Sequence, residues 1–375
     1  MAQTDSHYQE LAVPGVRALQ PYQPGKPVAE LERDYGIRNA IKLASNENPL
    51  GPGPLAIAAA QAALGEITRY PESSGYRLTE RLARKHAVSP ACITLGNGSN
   101  DVLDMIARVF LGPGTEAVFS RHAFAVYPIV VQAVGATARV ADPHDGTRGP
   151  VYGHDLAAML ALVGKDTRVV FVANPNNPTG TWLAADELRE FVGNLPEHVV
   201  VVVDEAYFEY VAQPEYPDTV QWLSDCPGLV VTRTFSKAYG LAGLRAGYAV
   251  SSPVVAELLN RVRHPFNVNS IAQAAALAAL DDTAYLEKTI HLNQEGMQQL
   301  VSGISGLGLS WTDSAGNFVM IDSGRSAAGL YEGLLREGVI VRPVANYGLP
   351  QHLRVTVGLP EENARFLQAL EKVLA

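Results

Sequence analysis

Cysteine is almost missing from this chain: Cys92 and Cys226 are the only two in 375 residues, and they lie far apart. Two such thiols build neither a disulfide framework nor a metal knuckle, and they fit a reducing cytoplasm. The nine histidines are scattered without ligand spacing, so no metal site is expected. Positive charge is scarce too. A formal net charge of −9 offers no basic surface to a nucleic-acid backbone, so any phosphate binding has to be local. No apolar run is long enough to span a bilayer, and the opening Met1-Ala-Gln-Thr-Asp is unlike a secretory leader, so a soluble, cytoplasmic protein is expected. Internal repeats and low-complexity tracts are absent, although Pro and Gly cluster at Gly51-Pro52-Gly53-Pro54.

With 47% hydrophobic and 18% charged residues, the chain can bury a large core, and its length predicts two domains. Apolar, strand-like runs near Ile93, Val118, Val140, Val170, Val201 and Val230 alternate with helical stretches such as Asp101 to Phe110 and Ala185 to Leu195. That alternation predicts a largely parallel sheet wrapped by helices. Gly247 to Val250 adds a further strand and Val254 to Arg263 a helix, followed by an Ala-rich helix over Ser270 to Leu280. Strand patterns at Asn317 to Ile321, Val339 to Arg342 and Leu353 to Val357, then a helix over Glu361 to Leu374, predict a smaller α+β unit.

Three segments carry chemistry. In Thr234-Phe235-Ser236-Lys237-Ala238-Tyr239-Gly240-Leu241-Ala242-Gly243-Leu244-Arg245, one lysine sits among hydroxyl and small residues, eight positions before an arginine. An amine attacks a carbonyl only when unprotonated, so a lysine with this task needs burial and cationic neighbours, and Arg245 is placed to supply such a field while gripping a phosphate. A solvated lysine in a Gly-rich loop also fits this segment alone. The run Val199 to Val203 is continuous and β-branched, then ends in Asp204-Glu205-Ala206-Tyr207. It reads as a central strand, and the ligand crevice of an open α/β sheet lies beyond such strand ends. Asp204 either caps the following turn or meets a protonated heterocyclic nitrogen. After a third apolar strand, Asn174-Pro175-Asn176-Asn177-Pro178-Thr179-Gly180 forms a rigid turn that holds the Asn177 carboxamide at another strand end.

Together, in this order and spacing, the three segments resemble the fold-type I pyridoxal-phosphate aminotransferases, over nearly the whole chain. The resemblance implies an α/β fold with a large, mostly parallel sheet domain and a smaller discontinuous α+β domain. The divisions are 1–44 joining the small domain, 45–263 binding pyridoxal 5'-phosphate, and 264–375 as the small C-terminal domain. It makes Lys237 the Schiff-base lysine, Asp204 the partner of the pyridine nitrogen, and Tyr207 and Asn177 the donors to the cofactor's phenolic oxygen. Ser236 and Arg245, with Thr234 nearby, would hold its phosphate. The turn Gly96-Asn97-Gly98-Ser99-Asn100-Asp101 opens a helix whose free amides, those of Ser99 and Asn100, would complete that cup. In Arg121 to Tyr127 the stacking position is matched by Phe124, where many relatives carry Tyr or Trp, so a hydroxyl near the ring is lost unless Tyr127 replaces it.

Segments 19–27, 43–51 and 69–72 are similar to characteristic segments of the histidinol-phosphate aminotransferases, as are the tail arginines. By that likeness Arg354 and Arg342 receive the substrate's anionic group, Tyr22 covers the substrate, and Tyr70 reaches the neighbouring subunit's cofactor phosphate in a homodimer with shared active sites. The implied reaction passes an amino group from histidinol phosphate to 2-oxoglutarate, with Lys237 moving the proton. Tyr347, in the loop Ala345 to Pro350, would suit either an imidazole or a phenyl ring, which keeps aromatic amino acid transamination as the runner-up. A threonine-phosphate decarboxylase on the same fold, or a ligand sensor, are the other classes in view.

Overall fold

The computed structural model describes residues 2–375; Met1, part of the opening segment considered above, lies outside the described residues. The continuous valine run forms the strand Val200–Asp204, the middle member of a seven-stranded sheet. The spatial order is Ile93–Gly96, Gly247–Ser251, Leu229–Thr234, Val200–Asp204, Thr167–Ala173, Glu116–Ser120 and Thr137–Ala141. Only Gly247–Ser251 runs against the rest. The run is unbroken because both faces are covered: Val170, Val172, Val201, Val203 and Val231 feed one core, while Val169, Phe171, Val202 and Val230 feed the other. Helices Tyr76–His86, Ala185–Gly193 and Ser270–Ala279 close the first core, and Ser99–Phe110 and Pro253–Val262 the second.

The tail builds a four-stranded antiparallel sheet in the order Arg342–Pro343, His352–Thr356, Phe318–Asp322, Ser310–Thr312. Its core takes Leu300 and Ile304 from the long helix Thr283–Gly306 and Phe366 from the last helix, Pro360–Leu374. Leu43 joins the same core, and Ile41–Lys42 pairs with Val339–Ile340, so the early chain is built into the later unit. The strand expected over Val339 to Arg342 is split: Val339–Ile340 serves that pair, and Arg342–Pro343 forms the edge of the four-stranded sheet. Pro343 has no N–H to offer a further strand, which suits an edge.

The alanine-rich Ser270–Ala279 packs on Pro54–Ala63, its small side chains allowing close approach, and buries Ala272, Ala275 and Ala276 in the large core. On packing grounds we propose dividing the units near residue 282 rather than at 263. Among the described residues, no helix is long and apolar enough to cross a membrane, and no cluster of side chains could hold a metal ion.

Candidate active site

At the carboxyl ends of the central strands lies a cavity of about 250 Å³ whose wall draws on both units. Tyr22, Ser45, Asn46 and Glu47 come from the early chain, Arg354 from the small sheet, and the rest from the large sheet's strand ends. Of the residues singled out by sequence, Lys237, Asp204, Tyr207, Asn177, Ser236, Arg245, Thr234, Ser99, Asn100, Phe124, Arg354 and Tyr22 line it. Tyr70 and Arg342 do not. The Tyr70 ring is 82% exposed and stacks on Phe266 with centroids 4.7 Å apart. Arg342 is buried, donates to the Gln23 carbonyl and lies over the Tyr22 ring at 5.6 Å, so it holds the covering segment rather than the cavity wall. Tyr347 is buried behind the wall among Met320, Val344 and Leu349, and the aromatic surface of the cavity comes instead from Tyr22, Phe124 and Tyr207.

Lys237 is half-buried on the short link after Leu229–Thr234, and its Nζ donates to the Ser45 carbonyl at 3.1 Å. Burial brings its amine from the usual 10.5 down to about 7, helped by Arg354 and then by Arg245. The expected field of Arg245 is therefore real but ranks behind that of Arg354. Gly240 lets this link pass the Gly51–Pro52 backbone: its φ is 69°, and a Cβ there would strike the Gly51 carbonyl.

Asp204 is the last residue of its strand and faces the cavity, directly across from Thr232. Thr232 Oγ1 donates to its Oδ1 at 2.9 Å, and Tyr127 Oη donates to its Oδ2 at 3.0 Å. Burial raises the carboxyl's pKa, and these two bonds oppose the rise. Tyr127 is wholly buried and stacked on Phe171, so it does not replace a hydroxyl over the ring; it braces Asp204. Neighbouring residues on both strands face the other way. There Arg233 donates through Nε and Nη2 to Glu205 at 2.9 and 2.6 Å, a buried pair that ties the two strands together.

A cup of donors stands at the other end. The helix Ser99–Phe110 opens at Gly98, whose φ of 86° and lack of a Cβ admit the Arg245 guanidinium. Arg245 donates to Ser236 Oγ at 3.3 Å, and the Ser236 N–H donates to Thr234 Oγ1 at 3.1 Å. Free amides of a helix start, an arginine and two hydroxyls make an anion cradle.

Arg354 donates to the Asn177 carboxamide oxygen and to the Ala44 carbonyl, the latter at 2.6 Å. A guanidinium can only donate, so Asn177 keeps its NH2 available to donate elsewhere. Among the described residues, the buried Arg354 Nε has no hydrogen-bond partner.

The family model for aminotransferase class I and II matches residues 38–370. The chain belongs to the class I and II aminotransferases. The aminotransferase is 58% identical over 364 residues to histidinol-phosphate aminotransferase 2 of Methylococcus capsulatus, covering 97% of this chain and 98% of that protein. To the Pseudomonas aeruginosa protein of the same name it is 59% identical over 372 residues, covering 99% of each. Its fold matches the crystal structure of histidinol-phosphate aminotransferase from Sinorhizobium meliloti in complex with pyridoxal-5'-phosphate, with a TM-score of 0.88, 31% identity, and 96% and 97% of the two chains covered. Aspartate aminotransferase from Thermus thermophilus with maleate shares the fold at a TM-score of 0.83 and 22% identity, covering 96% of this chain and 99% of that one.

Proposed function

We propose that this aminotransferase binds pyridoxal 5'-phosphate and transfers the amino group of histidinol phosphate to 2-oxoglutarate, giving imidazole acetol phosphate and glutamate. The observation that carries the reading is Lys237: a half-buried amine whose pKa is brought down to about 7, in a cavity with a carboxylate at one end and an anion cradle at the other. The donor set fits the cofactor. Ser99, Asn100, Ser236 and Arg245 would hold its phosphate, Asp204 its ring nitrogen, Tyr207 and Asn177 its phenolic oxygen, and Phe124 its ring face. When bound, the cofactor supplies an aldehyde that condenses with amines and a ring that accepts electrons.

The chain's own side chains do the remainder. Lys237, half of it unprotonated near pH 7, would take the proton from the substrate's Cα and hand it to the carbon that bore the cofactor's aldehyde. Asp204, braced by Thr232 and Tyr127, keeps a proton on the ring nitrogen. Arg354, held by Asn177 and Ala44 and with Nε unpaired, receives the substrate's phosphate or the carboxylate of glutamate. Histidinol phosphate is favoured as the amine by the names of relatives at 58–59% identity over nearly the full length.

A homodimer with shared active sites, working in the cytoplasm, completes the proposal. Tyr70 stands outside its own cavity with Ile67, Leu64 and Tyr76 exposed close by in sequence, which suits contact with a second copy. The test is to mix the pyridoxal-phosphate-loaded protein with single amines and follow conversion of the cofactor to its amine form by absorbance. Fast reaction with histidinol phosphate and slow reaction with phenylalanine or tyrosine is expected; the reverse order would select an aromatic aminotransferase, and release of carbon dioxide a decarboxylase.

A further inference from the structure

Asn46 lies in the early segment that lines the cavity, and its backbone is left-handed with φ 54°. Its N–H donates to Thr356 Oγ1 at 2.9 Å, and that hydroxyl in turn lies 3.1 Å from Asn46 Oδ1, to which it donates its proton. With the oxygen end of the carboxamide so taken, the nitrogen end is the one that faces Tyr207, donating to its hydroxyl at 2.8 Å. A hydroxyl that accepts from an amide nitrogen cannot give its own proton back to it. Among the described residues Asn46 is the hydrogen-bond partner of the Tyr207 hydroxyl, whose proton is left for the cavity that Tyr207 lines.

We propose that Asn46 is a positioning residue: it turns the Tyr207 O–H into the cavity, so that Tyr207 meets the cofactor's phenolic oxygen as a donor. The inference rests on the cofactor reading above. Few residues meet the requirements at this point. The side chain has to tolerate a positive φ, accept from Thr356 and donate to Tyr207 at once, and Asn does all three. Asp lacks the donor and Gly lacks the side chain. Thr356 follows Arg354 by two residues on the strand His352–Thr356, so the same chain of bonds ties the Tyr207 hydroxyl to the strand carrying the substrate arginine.

The test is a double-mutant cycle read in the visible absorption of the pyridoxal-phosphate-loaded protein titrated against pH. A donor to the phenolic oxygen stabilises its deprotonated form, so losing that donor raises the pH midpoint of the band. Asn46→Asp accepts the Tyr207 proton instead of directing it, and should raise the midpoint by about one unit, the size of a charged hydrogen bond. In a Tyr207→Phe background the same substitution should move it little. Arg354, Tyr347, Asp204, Lys237, Tyr127 and Tyr210 are ionisable groups close to Tyr207, and they are unchanged in every arm. Asn46→Gly, neutral and at ease with the positive φ, should shift the midpoint the same way by less, again only when Tyr207 is present. Equal shifts in both backgrounds, or none in either, would overturn the inference while leaving the cofactor reading intact. A native band that does not move with pH would overturn the inference alone, and a loaded protein with no pyridoxal-phosphate band would overturn both.

Discussion

In the proposed reading Asp204 meets a ring nitrogen as a buried carboxylate, and two neutral donors work in favour of its charged form. Its environment raises the pKa by burial, and Thr232 and Tyr127 oppose that from either oxygen. A hydrogen bond to a charged group contributes roughly 1.5 to 3 kcal/mol net, and about 1.4 kcal/mol is a decade in rate. Asp204→Ala should therefore retain bound cofactor yet slow single-turnover proton transfer by at least about tenfold, with Tyr127→Phe intermediate; an unchanged rate in the first variant would remove this role. Lys237, Asp204 and Arg245 are legible in the chain because each sits in a local pattern of strand end or glycine turn. Their partners are not. Tyr127 comes from a helix 77 positions before Asp204, and Asn46 stands 161 positions from Tyr207, contacts that exist only once the strands have paired. Arg354 was legible as an anion receptor, yet its hold on the Lys237 amine appears only when the small sheet docks against the large one.

The helix Ser99–Phe110 earns its place through the residue before it. Gly98 combines a positive φ with a missing Cβ at the point where the Arg245 guanidinium approaches, so backbone and side chain can bring donors to the same anion. Gly98→Ala forces alanine into an extended positive-φ conformation, φ 86° and ψ 164°, that is essentially reserved for glycine and costs about 1 to 3 kcal/mol, and it pushes the guanidinium aside. With the guanidinium displaced, one charged hydrogen bond to the phosphate is lost, so affinity for pyridoxal phosphate should fall about tenfold, while affinity for pyridoxal, which lacks the phosphate, should fall much less. Equal losses in the two absorbance titrations would mean that this end of the cavity does not hold the phosphate. At the same scale, six of the seven large-sheet strands are buried along nearly their whole length and follow their apolar runs closely, whereas the edge strand Thr137–Ala141 is exposed at four of its five residues. The tail is harder to read: the single strand expected around Val339 to Arg342 divides between two partners, and nothing local in those residues announces the second. Tyr347 fails as a ring contact for a related reason, since a short 3-10 helix turns it into the small unit's core.

For the molecule as a whole, the cavity exists because three stretches of chain converge on one lysine: the early segment Ser45 to Glu47, the large sheet's strand ends, and Arg354 of the small sheet. The Ser45 carbonyl touches the amine, and Arg354 lowers its pKa from the far side of the cavity. Assembly of the two units thus makes the amine reactive near neutral pH, where an isolated lysine is almost fully protonated. The most direct measurement is covalent trapping: reduce the pyridoxal-phosphate-loaded protein with borohydride across a pH series and locate the adduct by peptide mass mapping. The account predicts the adduct on the peptide containing Lys237, with the rate of attachment to apo-protein rising through about pH 7 and then levelling, as the amine loses its proton. An adduct on another lysine, no adduct, or a rate that keeps climbing towards the usual lysine value of 10.5 would contradict it.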